Sequence, residues 1–320
     1  MLYRRHLRIR ALQALYAHYS SGQENLVIGE KQLMLSINKV YELFIYQLSF
    51  LNQIQLFAAD LFEDRKKKYI PTEEDLNPNL KFINNKVLLY IGNNIDFRKK
   101  EELYKINWAD EKDIIRRFYK KLVEFDFYKA YMKSGENTLE EDKKFMVKLI
   151  DLVLSKFDLL SSFYEEKSVY FTDTYDLVNI LLIKFADTLN ARANEDSLLP
   201  PLLKTENDPI NTDLEFVKKL YRKVVLNNEE YDNIIKPKTK NWEYDRIPLM
   251  DLILIKMAIT EFLYMSEVPV KVTLNEYIEL SKYFSIEKSK IFINGVLDIL
   301  IKDFKKEGKV KKVGQGMIDK

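Results

Sequence analysis

Apolar residues recur at helical spacing along most of the chain. In the first segment Leu12, Leu15, Tyr16 and Tyr19 follow the i, i+3, i+4, i+7 pattern of an amphipathic helix that begins near Leu2. Longer patterns of the same period predict helices over residues 30–64 and 110–132. The last helix, after Ser285, has an apolar stripe made of Ile293, Val296, Leu297, Leu300, Ile301 and Phe304. The pattern predicts an all-α protein.

Threonine and glutamate at the spacing of a capping box indicate three helix starts. In such a box the hydroxyl caps a free backbone N–H and the carboxylate reaches back to the cap. The pairs are Thr138 with Glu141, Thr212 with Glu215, and Thr273 with Glu276. They predict helix boundaries and carry no functional information.

Proline and polar residues mark a linker candidate in the second half of the chain. Pro200-Pro201 precedes the polar run 204–212, so we place a domain boundary near residue 205. A weak internal repeat crosses this boundary. An offset of 71 residues relates Phe145 to Phe216 and Phe171 to Trp242, so segment 138–190 reads as a degenerate copy of the helix pair at 210–265. The alternative is chance likeness between two amphipathic helices.

Composition restricts the chemistry. Among 320 residues there are 8 Gly, 8 Pro, no Cys and two His, His6 and His18. Disulfides, thiol catalysis and cysteine-ligated zinc are excluded, and little remains for histidine catalysis or a histidine metal site. No phosphate-cradling glycine loop is present, and the acidic residues lie at helix-surface spacing. We predict no catalytic residues, no metal and no cofactor.

Positive charge is concentrated at the two ends of the sequence. The net charge is +2, yet residues 1–20 and residues 301–320 each carry about +4, which leaves the rest acidic. Basic ends on an acidic body are typical of proteins that meet a polyanion. The alternative is a pair of solvated tails.

The most apolar stretch, 247–265, contains Asp251, Lys256 and Glu261. Three charges within nineteen residues argue against a membrane span and favour a buried core helix. No apolar segment follows the first arginines, so no signal peptide is expected. We expect a cytoplasmic protein without a membrane partner.

One aromatic residue flanks the apolar stripe of the last helix. Phe292 lies about 100° from the centre of the stripe, with Lys288 one turn before it and Gly295 on the same flank. An aromatic face beside a lysine and a glycine can stack on a base of single-stranded RNA. The alternative is that Phe292 is the edge of the core.

Both ends of the chain resemble one known family. The opening RRHLRIRALQALYAHY is similar to the first helix of the NusB family of bacterial transcription antitermination factors. Near the other end, Glu261-Phe262-Leu263, Val268-Pro269 and Asn275-Glu276 match short family elements, and FINGVLD, residues 292–298, resembles the family signature FVNGVLD most closely. The resemblance covers about 1–20 and 210–305.

The resemblance implies an all-helical NusB-like bundle formed by residues 1–20 and 210–305. Residues 21–209 would be a helical insertion of unassigned role, and residues 306–320 a basic tail. It also implies a non-enzymatic, RNA-binding function in transcription antitermination. NusB acts with the small-subunit ribosomal protein NusE on boxA-type RNA, within the RNA polymerase antitermination complex of ribosomal RNA operons.

Carried over by position, the resemblance implies two sets of contact residues. The RNA-binding set is Arg4, Arg5, Arg8, Lys256, Lys288, Lys290 and Phe292. The partner-binding set is Tyr16, Asp251 and Glu261. Tyr16 also lies on the predicted core stripe, so its role as a contact stays open.

Two other classes remain as alternatives. One is a helical scaffold for protein–protein interaction that has lost RNA binding. The other is an RNA methyltransferase, since NusB-like domains also precede ribosomal RNA cytosine methyltransferases. This second alternative requires a nucleophilic cysteine, and the sequence has none.

Overall fold

The chain forms two compact helical units. The computed structural model describes residues 2–22, 25–203, 212–239 and 243–317. Unit 1 comprises Met1–Ile37 and Leu203–Lys320, and unit 2 comprises Asn38–Leu202. The predicted boundary near residue 205 falls outside the described residues. No helix in the described ranges is long and apolar enough to cross a membrane.

All regular secondary structure of the described residues is helical, which confirms the all-α prediction. The helices are α1 Arg4–Ser20, α2 Leu26–Lys66, α3 Glu73–Leu76, α4 Lys86–Asn93, α5 Ile95–Leu103, α6 Lys112–Glu124, α7 Asp126–Lys133, α8 Leu139–Leu152, α9 Asp158–Lys167, α10 Val169–Thr172, α11 Tyr175–Thr188, α12 Thr212–Leu226, α13 Asn228–Ile235, α14 Leu249–Tyr264, α15 Val270–Phe284 and α16 Ser289–Lys306. Short 3-10 turns cover Leu154–Lys156, Lys236–Lys238, Tyr244–Arg246 and Gly314–Met317.

Helix α14 is the centre of unit 1. It packs against α1, α12, α15 and α16, and every residue from Ile253 to Phe262 is buried. The apolar stretch is therefore the buried core helix that its composition predicts. The stripe of α16 is also confirmed, since all six of its residues lie in the core.

Helix α1 buries only part of the face that its spacing predicts. Leu12 and Leu15 are fully buried, but Tyr16 is 44% exposed. Arg8 and His18 take part in the buried face instead. The prediction of Tyr16 as a core residue is wrong, because the stripe begins at Leu7 and turns away from Tyr16.

Glycine is required where α2 meets α1 and α12. A Cβ atom added to Gly29 would lie 1.8 Å from the Tyr221 Oη and 3.3 Å from the His18 Nδ1. The missing side chain therefore lets the three helices approach closely. Burial raises the pKa of Tyr221 to about 12, so its hydroxyl stays protonated.

Helix α15 begins earlier than the capping box predicts. Its N-cap is Pro269, which places Thr273 inside the helix. The Thr273 hydroxyl donates to the Glu261 carboxylate at 3.1 Å, and the Glu276 carboxylate binds Arg5. Because both polar groups have tertiary partners, they do not form a cap. The Thr138 hydroxyl does cap α8 by accepting the Glu141 N–H. The side chain of Thr212 is not among the described parts of the chain.

Unit 2 has a core rich in aromatic side chains. Phe50 contacts Phe118 and Trp108 with ring centroids 5.1 and 5.2 Å apart, and Trp108 donates its indole N–H to Ser49. The pattern over 110–132 predicts one helix, but the chain forms α6 and α7. The break is at Phe125, whose extended backbone ends α6.

The two segments of the proposed repeat contain helices in the same order. In each, a long helix (α8 or α12) is followed by shorter helical segments, which include α9 or α13, and then by a second long helix (α11 or α14). The long helices of each segment pack against one another, and both Phe145 and Phe216 are buried. Trp242 lies outside the described residues, and the repeat stays a prediction.

Candidate nucleic-acid interface

A buried ion pair joins α1 to α14 inside unit 1. The Arg8 Nε and Nη2 atoms donate to the two carboxylate oxygens of Glu261 at 2.6 and 2.9 Å. The hydroxyls of Tyr277 and Thr273 donate to the same carboxylate at 2.6 and 3.1 Å. Arg8 is 3% exposed and Glu261 is fully buried. The fork geometry of arginine and these two hydroxyls satisfy a carboxylate that would otherwise be costly to bury.

This pair corrects two assignments made from the sequence. Arg8 is expected on the RNA face and Glu261 on the partner face, but each binds the other in the core. The physical reason is that α1 crosses α14 at this point, where an unpaired charge on either side would be unsatisfied. Arg8 and Glu261 therefore hold α1 in place.

Asp251 and Lys256 are also interior residues. Asp251 accepts hydrogen bonds from Ser285 and from Ser289, at 2.5 Å for the latter, and so anchors the start of α16. Lys256 donates to Asp232 and Asn228 at 2.6 Å. Burial lowers the pKa of Lys256, although Asp232 opposes the change. The assignments of Asp251 to the partner face and of Lys256 to the RNA face are corrected in the same way.

The exposed groups of α1 meet the outer face of α15. Arg5 donates two hydrogen bonds to Glu276 at 2.9 and 2.8 Å. The hydrogen bonds with Glu276 raise the pKa of Arg5. Glu279 and Tyr283, which lie one and two turns further along α15, add smaller contributions in the same direction. The charge of Lys290 of α16 is one of those that lower the pKa of Glu279, although the hydrogen bond with Lys282 is the main cause. Arg5, the outer residues of α15 and Lys290 are therefore neighbours. We name this surface, together with the rest of the start of α16, the α1–α15–α16 face: Arg5, Glu276, Glu279, Tyr283, Lys288, Lys290, Ile291 and Phe292.

The start of α16 supplies the uncompensated charge of this face. Lys288 is the N-cap residue and Lys290 follows in the first turn; both are exposed and neither forms an ion pair with a described residue. The amino end of an eighteen-residue helix adds a partial positive charge there. Phe292 is half-buried, so only part of its ring can meet a ligand.

Tyr283 is a candidate residue that sequence reasoning missed. It is 78% exposed, as is Ile291, so both present apolar surface beside the lysines. The signal was available, because Tyr283 lies about 110° from the centre of the buried stripe of α15 at 100° per residue. It shares that outer side with Glu276 and Glu279.

Arg4 and Tyr16 lie elsewhere on unit 1. Arg4 pairs with Asp213 at 3.4 Å and with Glu267 at 3.7 Å, and its guanidinium lies 4.8 Å from the Phe216 ring centroid. These contacts tie Arg4 to α12. Tyr16 is exposed and remains available for a protein contact.

The basic tail folds back onto unit 1. The Lys312 Nζ donates to the carbonyl oxygens of Glu261 and Met265 at 2.9 and 2.8 Å, which satisfies the carboxyl end of α14. A Cβ atom on Gly316 would lie 2.0 Å from the Ser266 carbonyl oxygen. This part of the tail is therefore packed rather than solvated.

Acid should weaken unit 1 through the histidines of α1. Burial lowers the pKa of His6, and the nearby charges of Arg10 and Arg5 lower it further, although Glu276 opposes them. Burial also lowers the pKa of His18. The His6 Nδ1 accepts the Tyr3 N–H at 3.1 Å, which requires a neutral ring. Both residues titrate near 6.5 when unfolded, so stability is present above that pH and declines as the pH falls below it.

We expect the free energy of unfolding, measured by urea titration, to decrease between pH 7 and 5.5. Ion-paired carboxylates such as Asp303, whose pKa Lys238 lowers, stay charged in this window. His6→Gln keeps the acceptor and cannot gain the proton, so its decrease should be smaller. An equal decrease in wild type and variant would contradict the role of His6.

The fold and this face define an all-helical protein that presents lysines and aromatic rings on one surface of a bundle. Within the described ranges no group of His, Asp and Glu could hold a metal ion. The family model described as NusB family matches residues 177–302. The transcription antitermination protein NusB of Salinibacter ruber is 40% identical over 113 residues, which is 35% of this chain and 69% of that protein.

Two further proteins of the same name are similar to this chain. That of Caldicellulosiruptor saccharolyticus is 38% identical over 96 residues, 30% of this chain and 73% of its own length. That of Chloroherpeton thalassium is 38% identical over 105 residues, 33% of this chain and half of its own length. The chain belongs to the NusB family. No solved structure matches it.

Proposed function

We propose that the protein is an RNA-binding transcription antitermination factor that acts by binding and not by catalysis. The observation that carries this proposal is that Arg5 and Lys290 both lie close to Glu279 in a NusB-family bundle, and that Lys288 and Phe292 flank Lys290 at the start of α16. The three curated relatives are named transcription antitermination proteins. BoxA-type RNA is the ligand that this family membership favours.

The chemistry of the face suits single-stranded RNA. Lys288, Lys290 and the amino end of α16 attract a phosphate, while Phe292 and Tyr283 offer apolar ring surface for a base. Glu276 neutralises Arg5, so a phosphate must compete with that carboxylate for the guanidinium. The face is therefore moderately rather than strongly cationic.

A protein partner would strengthen such a site. We assign the small-subunit ribosomal protein NusE as that partner, and we place the contact around Tyr16, the member of the predicted partner set that is exposed. Arg4 stays in the proposal as a half-buried residue that would bind RNA only by leaving its ion pairs with Asp213 and Glu267. Together they would join the RNA polymerase antitermination complex.

The test is the affinity for a boxA-type RNA oligonucleotide, with and without NusE. In the variant Arg5→Gln/Lys288→Gln/Lys290→Gln we expect at least a tenfold loss of affinity at low salt. The slope of log affinity against log salt should fall by about 2, since each phosphate contact on a single strand contributes about 0.7.

The matched control removes three exposed lysines outside this face, as Lys219→Gln/Lys302→Gln/Lys306→Gln. Its affinity should stay within about threefold of wild type when both variants are measured at physiological salt, because distant surface charges are screened there. Equal losses in the two variants would remove the α1–α15–α16 face from the proposal. Binding to NusE that needs no RNA and does not respond to salt would favour the scaffold alternative.

A further inference from the structure

Unit 2 contains a shallow cleft with an aromatic wall and a basic rim. The cleft has a volume of about 250 Å³ and is lined by Phe127, Ala130, Tyr131, Glu141, Lys144, Phe145 and Lys148. These residues come from α7 and α8. Nothing in the family match covers them, because that match begins at residue 177.

Three aromatic rings form the wall. Tyr131 and Phe145 stack with ring centroids 4.0 Å apart, and Phe127 lies 5.7 Å from Phe145. Tyr131 and Phe145 are buried, whereas Phe127 is half-buried and so has ring surface left for a ligand. A flat apolar group can therefore pack against Phe127.

The rim has a net positive charge. Lys144 and Lys148 are one turn apart on α8, both are exposed, and neither has a hydrogen bond or ion pair with a described residue. The acidic residue of the rim, Glu141, is neutralised by Lys81 at 2.8 Å, and Lys81 is itself nearly buried. Two uncompensated charges thus remain beside the aromatic wall.

We propose that this cleft binds one nucleotide of single-stranded RNA, as a second contact outside unit 1. The base would pack against Phe127, and the flanking phosphates would pair with Lys144 and Lys148. The combination of a flat ring surface with two cations matches a base and its phosphates. The choice of RNA rests on the proposed function.

The experiment measures binding of the full chain to a fluorescent oligouridine RNA by anisotropy. Lys144→Gln/Lys148→Gln should lower the affinity about tenfold, and Phe127→Leu should do so by a similar factor through lost stacking. A matched control, Arg116→Gln/Lys120→Gln, removes the same charge from exposed, unpaired cations one turn apart on α6, and it should retain wild-type affinity.

Crosslinking locates the contact without relying on affinity. RNA that contains 4-thiouridine should crosslink to a peptide of α7 or α8 in wild-type protein. The crosslink should persist in Arg5→Gln/Lys288→Gln/Lys290→Gln protein and disappear in Lys144→Gln/Lys148→Gln protein. This separates the cleft from the α1–α15–α16 face.

Three outcomes overturn the inference. Equal loss in the cleft variant and its control would show a bulk charge effect only. Normal RNA binding by the cleft variant, with no crosslink in α7 or α8, would reject the cleft while the proposed function stands. If wild-type protein binds no RNA, the cleft inference and the proposed function both fail. Binding of a glutamate–tyrosine peptide at Lys144 and Lys148 would then assign the cleft to an acidic protein.

Discussion

Arg8→Ala should unfold the contact between α1 and the rest of unit 1. The substitution leaves the Glu261 carboxylate buried with two hydroxyl donors and no countercharge, and removal of one partner of a buried ion pair costs about 3–5 kcal/mol. We expect the backbone amides of α1 to lose hydrogen-exchange protection by the corresponding factor. A decreased urea midpoint should accompany the loss.

Arg5→Ala is the matched control on the same helix. Arg5 also forms a bidentate pair, with Glu276, but its side chain is 49% exposed and water can replace the lost contact. Its cost should be about 0–1 kcal/mol. Similar effects of Arg5→Ala and Arg8→Ala would contradict the view that burial makes the Arg8 pair important.

The comparison also separates stability from RNA binding. Arg8→Ala should weaken RNA binding only as far as it unfolds α1, so osmolyte or low temperature should restore affinity. Arg5→Ala should weaken binding without changing exchange protection. If Arg8→Ala protein stays fully folded but loses RNA, Arg8 would return to the list of contact residues.

Asn85→Ala should strongly destabilise unit 2. The Asn85 Oδ1 caps α4 by accepting the Val87 and Leu88 N–H groups at 3.0 and 3.2 Å, and its Nδ2 donates to the Tyr131 hydroxyl at 3.1 Å. The side chain is fully buried. The loss of a cap and of buried hydrogen bonds together should cost about 3 kcal/mol.

Neighbouring groups explain why water cannot substitute there. The Tyr131 hydroxyl also donates to Asp142 at 2.5 Å, and Asp142 accepts the Lys86 N–H at 3.0 Å. Removal of Asn85 therefore disturbs a closed network that links α4, α7 and α8. Tryptophan fluorescence in urea, measured in a Trp242→Phe background that leaves Trp108 as the remaining tryptophan, reports on unit 2.

Asn107→Ala is the control for this prediction. Asn107 accepts the Ala109 N–H at 2.8 Å in the same way, but it is exposed, so its loss should cost less than about 1 kcal/mol. A change in the urea midpoint that is equal for Asn85→Ala and Asn107→Ala would refute the buried network as a source of stability.

Periodicity predicted the helices well where burial is continuous along one face. The stripe of α16 follows from apolar spacing, because a helix buries residues by angle, and the burial of α14 follows from its apolar composition. The FINGVLD signature likewise identified the family without any coordinates. These features depend on residues that are near one another in sequence.

Charged residues were predicted less well. Arg8, Asp251, Lys256 and Glu261 were expected on the surface and lie inside, because each finds a partner that is distant in sequence. Arg8 and Glu261 are separated by 253 positions. No local sequence pattern distinguishes an arginine that faces solvent from one that pairs with a buried carboxylate.

By itself, the sequence determined the helical class, the family and the absence of cysteine chemistry, since each is a property of composition or of short-range spacing. Only the tertiary structure decided which charges are buried, that Tyr283 accompanies Lys290 on one face, and that Lys144 and Lys148 border an aromatic cleft. The physical reason is desolvation: the cost of a charge depends on its complete three-dimensional surroundings, which helix packing creates.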